Sequence, residues 1–161
     1  NITRVVKDWY ATASELMKNE YFGLPLNEDN DWLKDELKKL NHADPLQKAK
    51  NIYVFVRDNF TCNDLDNKWL TQSLKKTFQS KVGSVGDINV LLAAMLKKAG
   101  LQVVPVMLST TDNGIVNEEV ALLTQYNYVV VKAEIEGERY LLDASRPRLG
   151  FGLLAPDCYN G

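Results

Sequence analysis

Apolar residues recur with a helical period over the first hundred positions and with strand-like alternation over the next forty-five. Ile2, Val5, Val6, Trp9, Ala13, Leu16 and Met17 trace one face, with Lys7, Asp8, Glu15 and Lys18 outside it, so a helix is predicted from residue 2 to about 20. Gly23 and Pro25 close it. A shorter helix is predicted over about 31–40, with Trp32, Leu33, Leu37 and Leu40 as its stripe. Asp44-Pro45 is a start signal, an N-cap followed by proline at the first helical position. The third helix then carries Leu46, Ala49, Ile52, Tyr53, Val56 and Phe60. Thr61-Cys62-Asn63 is short and fits either strand or loop, 63–67 reads as polar loop, and a short helix is expected near 73–79.

The best-specified element opens at Ser84. Ser84 as N-cap with Asp87 three residues on has the form of a capping box. Ile88, Leu91, Leu92, Met95, Leu96 and Ala99 follow as one broad apolar stripe. Lys97 and Lys98 suit the negative end of the helix dipole, and Gly100 supplies the stop. This helix is expected to run to about Ala99 and to form the centre of the core.

Past Gly100 the period changes. Val103, Val104, Val106, Met107 and Leu108 form a compact strand-like run in which Pro105 argues against a fully paired central strand. From Tyr126 to Ile135, Val129, Val131, Ala133 and Ile135 point one way, and Tyr128, Val130, Lys132 and Glu134 the other. Glu136-Gly137 reads as a two-residue hairpin turn, with 138–145 returning. That register sets Glu134 opposite Arg139, and Asp143 opposite Val130, diagonal to Tyr128 on the same face. Helices, a core helix and then antiparallel strands make an α+β plan. It is read as one domain over 1–161: a helical part at 1–100, a sheet part at 101–145 and an irregular tail at 146–161.

Composition narrows the function. The 161 residues are 45% hydrophobic and 25% charged, with a net charge of −2 and no basic face of the kind nucleic acid requires. No apolar run approaches the roughly 18 residues of a membrane span. Two cysteines, Cys62 and Cys158, and one histidine, His42, fall short of the roughly four ligands of a structural zinc site. No metal or other cofactor is implied. The two cysteines read as buried free thiols, a disulfide being the alternative in an oxidising compartment. The chain opens at Asn1 without Met or signal peptide, as a mature product or an excised domain would.

Three phrases resemble the transglutaminase-like core of the papain-like superfamily: Gly83-Ser84-Val85-Gly86-Asp87, Tyr126-Asn127-Tyr128-Val129-Val130 and Leu141-Leu142-Asp143-Ala144-Ser145. The matched span is about 45–145. That family places a cysteine at the N-terminus of the core helix, a histidine at the start of the next long strand and an aspartate at the end of the strand after it. A helix N-terminus lowers a thiol pKa, the histidine takes its proton, and the aspartate orients the histidine. On these positions the chain carries Val85, Tyr128 and Asp143.

Valine has no nucleophilic atom, and a phenol with an ordinary pKa of about 10 is no base near neutral pH. Ser84 fits an N-cap better than a nucleophile, since no histidine lies near it. Tyr128 is expected to fill the old site and bond Asp143. Asp87 reads as the capping acid, Asn127 as a strand residue, and Ser84, Asp87 and Asn127 as candidate groove or ligand contacts. His42 reads as a solvated linker residue.

The resemblance, closest to the version inside larger multidomain exported bacterial proteins, implies a catalytically inactive domain with a binding or architectural role. It also implies a periplasmic or other extracytoplasmic setting and partners among flanking domains. Gly86-Asp87-Ile88-Asn89-Val90-Leu91-Leu92 and Pro105-Val106-Met107-Leu108-Ser109-Thr110 carry this closer likeness. The alternative is an active cysteine-type peptidase or acyltransferase with displaced residues, which needs Cys62 or Cys158 beside His42 in a cleft.

Overall fold

The computed structural model describes residues 11–117 and 122–159. Residues 11–17 are helical (α1), and the part of the first predicted helix at 2–10 lies outside the described residues. The helix stops earlier than expected. Asn19 Oδ1 accepts the Tyr21 amide at 2.7 Å, and Gly23 N–H reaches back to Leu16 O at 3.3 Å, so local side-chain bonding turns the chain before residue 20.

A 3₁₀ turn at Leu24–Asn27 leads to a second at Asp31–Leu33, which runs into α2 at Lys34–Leu40. α3 spans Pro45–Asn59, and Asp44 caps it by accepting the Gln47 amide at 3.2 Å. Thr61–Asp64 is a strand, β1. Ser73 caps α4 at Leu74–Ser80, β2 covers Val82–Ser84, and α5 runs Val85–Lys98. β1 and β2 pair in parallel, Cys62 lying opposite Gly83. β2 is absent from the sequence pattern because three residues including a glycine are too short to show alternation.

The second sheet is antiparallel, with β4 (Tyr128–Ile135) between β3 (Gln102–Leu108) and β5 (Glu138–Leu142). β3 is an edge strand, and an edge tolerates Pro105, which has no N–H to give. The β4–β5 hairpin turns at Glu136 (φ +52°) and Gly137 (φ +83°), both left-handed as a type I′ turn demands. Glu134 lies opposite Arg139, their side chains 3.3 Å apart.

α5 departs from the one-stripe expectation. Every residue from Val85 to Leu96 is buried. The sheet covers one side, α3 and α4 cover the other, and β2 leads straight into its N-terminus. A helix enclosed in this way can be apolar all round, and this one holds few polar residues. The exceptions, Asp87 and Asn89, are 0% exposed, so each must find partners inside the protein. The segment 146–159 has no regular element beyond a 3₁₀ turn at Pro156–Cys158.

Candidate functional site

The N-terminus of α5 is sealed. Ser84 and Asp87 form the capping box: Ser84 Oγ accepts the Asp87 amide at 3.1 Å, and Asp87 Oδ2 accepts the Ser84 amide at 3.0 Å. Ser84 Oγ lies 3.2 Å from Trp69 O. Asp87 also receives the Thr71 amide at 2.8 Å and the Thr71 hydroxyl at 2.5 Å. Gly86 N–H, one of the orphan donors of the first turn, gives its proton to Asn67 O at 3.0 Å. Residues 67–71 thus form a strap across the helix end. They approach so closely that a Cβ on Gly86 would lie 2.4 Å from Lys68 O. Lys68 itself reaches Tyr126 O at 2.5 Å. Ser84 and Asp87 are 1% and 0% exposed, and neither reaches a groove.

Val85, the first residue of α5, is 0% exposed in the core. Tyr128 opens β4 and is also 0% exposed. Its hydroxyl donates to Asp143 Oδ2 and lies 3.0 Å from Ser145 Oγ. The same oxygen accepts from Arg146 Nε at 2.9 Å. The Arg146 guanidinium stacks over the Tyr128 ring, 5.1 Å from its centroid, and its other arm binds Asp157 Oδ2 at 2.9 Å.

Asp143 is fully buried. Its Oδ1 accepts from Asn89 Nδ2 and from the Ser145 amide, each at 3.0 Å, and from Ser145 Oγ at 2.6 Å. Arg146 Nε stands 3.8 Å from Asp143 Oδ2 as its counter-ion. Asn89 completes the set, donating also to Val129 O at 2.8 Å and accepting the Ala144 amide at 3.0 Å. Burial, and then the Asp143 charge, push the Tyr128 phenol far above its ordinary value, so it stays protonated. Burial opposes the Arg146 charge, but hydrogen bonds to Asp157 and Tyr128 outweigh it and hold the guanidinium protonated.

Asn127 precedes β4 and is 9% exposed. Its Nδ2 lies 2.8 Å from both Asp66 Oδ1 and Thr110 Oγ1, and its Oδ1 accepts the Thr110 amide at 2.9 Å. The side chain ties two loops together while also lining an open cavity of about 400 Å³. Arg146 forms part of that cavity wall above Tyr128, with Asp66, Asp112 and Asp157 around it.

Both cysteines are free and half-buried. Burial raises the Cys62 thiol, and burial with the Asp157 charge pushes Cys158 up to about 12, the reverse of an activated nucleophile. His42 is exposed between α2 and α3, where Nδ1 accepts the Asp44 amide at 2.9 Å. Among the described residues no hydrogen bond joins it to either thiol. Nor does any group of three or more His, Cys, Asp or Glu gather there as metal ligands would. No helix among the described residues is long and apolar enough to cross a membrane.

The structure joins Tyr128 to Asp143 and ties both to α5 through Asn89, one turn along the helix from the buried Val85; Asn89, Ser145 and Arg146 were left out of the sequence reading. A signal existed for two of them. Asn89 is an amide inside an apolar helix, and Arg146 directly follows the Asp143-Ala144-Ser145 phrase.

A buried helix N-terminus facing a β-strand, with an aspartate just past the end of the neighbouring strand, is the framework of the papain-like α+β proteins. The chain belongs to the transglutaminase-like superfamily, whose family model matches residues 34–141. The match begins at Lys34, taking in α2 ahead of the expected span, and ends at Leu141, short of the Asp143 phrase. A solved structure, a candidate protease of Parabacteroides distasonis ATCC 8503, superposes with a TM-score of 0.62 at 20% identity, over 75% of this chain. At that identity the likeness speaks for the fold. The chain spans 25% of that protein's length. No curated protein matches it.

Proposed function

We propose that the chain is a catalytically silent transglutaminase-like domain that keeps the fold for a binding or architectural role in a larger, exported protein. The observation that carries this reading is the Tyr128–Asp143–Arg146 assembly. Acyl transfer in this framework needs a thiolate at the helix end, a base to form it and a group to orient the base. Val85 cannot ionise. Tyr128 occupies the place of the base, keeps its proton and satisfies the aspartate in the base's stead. One helix-end amide that could stabilise an oxyanion, that of Gly86, is bonded to Asn67 O. Tyr128 and Arg146 convert a reactive dyad into a packed polar core with its charge balanced by Arg146.

The larger-protein part of the reading is supported by the length of the Parabacteroides protein, of which this chain spans 25%. The extracytoplasmic setting, with flanking domains as partners, rests on the sequence resemblance.

The test is acylation. The native chain is incubated with a thiol-directed acyl-donor probe and a peptide ester, and examined by intact-mass spectrometry and product release. The expected result is no product above that of the heat-denatured chain and no stoichiometric adduct at Cys62 or Cys158. One equivalent of acyl label on a single cysteine, with turnover, sinks the reading and installs a displaced-residue cysteine enzyme in its place.

A further inference from the structure

A second cleft, of about 400 Å³, lies between the 20–32 loop and the 70–75 segment that enters α4. It shares no lining residue with the cavity at Arg146. Its walls are fixed by bonds that use up one set of polar groups. Leu70 N–H donates to Tyr21 O at 2.9 Å, joining the walls. Asn30, in the left-handed region at φ +52°, donates from Nδ2 to Pro25 O at 3.0 Å and lies 3.3 Å from Glu28 O, stapling one side. On the other side Thr71 is held by Asp87, and Gln72 Nε2 reaches Thr77 Oγ1 at 3.0 Å and Val82 O at 2.9 Å. The cleft is preformed.

A different set of lining groups is left uncommitted. The Tyr21 hydroxyl, the Trp32 indole N–H, the Glu20 and Glu28 carboxylates and the Lys75 ammonium have no hydrogen-bond or ion-pair partner among the described residues. Tyr21 is 56% exposed and makes no ring contact there. Trp32 is half-buried, its ring edge-on to Phe78 with centroids 5.4 Å apart.

These features select an occupant. A flat apolar ligand would cover five polar groups and satisfy none, at a cost for each. A highly charged ligand finds little complement, since two carboxylates and one ammonium sum to −1. A molecule rich in hydroxyls with apolar C–H faces fits both halves: carboxylates accept from neighbouring hydroxyls, Lys75 and the indole N–H donate to ring oxygens, and the tyrosine ring covers the C–H face. The volume is near the lower end of small-molecule sites, enough for a short oligomer. We propose that this cleft binds a neutral oligosaccharide. The proposal does not depend on the catalytic silence of the Val85 site.

Saturation-transfer difference NMR on the whole chain tests it, with cellobiose, maltose and N,N′-diacetylchitobiose as probes at millimolar concentration and lysyl-lysine as the charged comparison. Transfer to pyranose C–H protons of at least one disaccharide is expected. Either Tyr21→Ala or Glu28→Gln should weaken it by about fivefold or more. Both side chains are exposed and outside the core, so melting temperatures should be unchanged. If Tyr21→Ala lowers the melting temperature, Glu28→Gln alone decides. No transfer to any of the three disaccharides, transfer that survives both substitutions, or preference for lysyl-lysine overturns the proposal.

Discussion

Asp143 is a buried carboxylate whose bonding is complete without a histidine. Oδ1 takes three donors from Asn89 and Ser145, and Oδ2 takes the Tyr128 hydroxyl. Deleting one member therefore leaves an unsatisfied group rather than a void. Tyr128→Phe removes one oxygen, takes from Asp143 Oδ2 its hydrogen-bond donor among the described residues and takes from Arg146 Nε its acceptor. The expected destabilisation is about 2–3 kcal/mol, most of it the penalty of leaving a buried acceptor open. Arg146→Ala should cost a similar amount by removing the counter-ion. Because both act on the same oxygen, the double variant should lose about 1 kcal/mol less than the sum of the two. Urea unfolding of the four proteins checks this. Strict additivity would mean that Arg146 merely covers the ring.

At the scale of elements, α5 was legible because every local rule pointed the same way: cap, reciprocal acid, apolar run, basic last turn and glycine stop. The hairpin at Glu136-Gly137 was legible for the same reason, since turn chemistry and alternation agreed. The strap at 67–71 was not. Asn67 and Trp69 act through backbone carbonyls, which carry no sequence signature, and Lys68 through a bond to a carbonyl far along the chain. The all-round burial of α5 was hidden likewise, because periodicity reports one face and not what covers the other. The strap's closeness makes its own prediction. Gly86→Ala places a methyl against the Lys68 and Trp69 carbonyls, at 2.4 Å and 2.7 Å, and backbone cannot rotate aside as a side chain can. A loss of about 3 kcal/mol or more is expected, with faster hydrogen exchange across 67–71 as the strap lifts. Ser84→Ala, which removes only the cap, should cost about 1–2 kcal/mol. A Gly86→Ala variant as stable as Ser84→Ala would show that the strap yields at little cost.

Across the whole molecule, the pairing of Tyr128 with Asp143 was legible from two short phrases, while the closure of the site was not. That closure joins groups distant in sequence, Asn89 to Asp143 and Arg146 to Asp157, and no local pattern records it. Burying so many weak acids together also sets how the protein meets alkali. Tyr53 and Tyr128, first through burial and then through the Asp143 charge, and Cys158, through burial and Asp157, all hold their protons more tightly when folded. The ordinary values are 10.0 for the phenols and 9.0 for the thiol, while Cys158 rises to about 12. Between those values the folded chain binds more protons than the unfolded one, so stability falls as pH rises. Their contribution is whole below about pH 9 and is lost progressively above it. Lys68 and Lys81, lowered by burial, pull the other way over the alkaline range, so the informative quantity is the difference between variant and parent. Cys158→Ser removes one of the raised acids and should make the decline in melting temperature from pH 8 to pH 11 shallower than the parent's. Its share is modest because the thiol is half-exposed and water screens it. Tyr128→Phe, starting from a lower melting temperature, should flatten the decline only above about pH 10, where the unfolded phenol ionises. Parallel profiles for parent, Cys158→Ser and Tyr128→Phe would show that the fold opens locally and lets these groups ionise at their ordinary values before it unfolds.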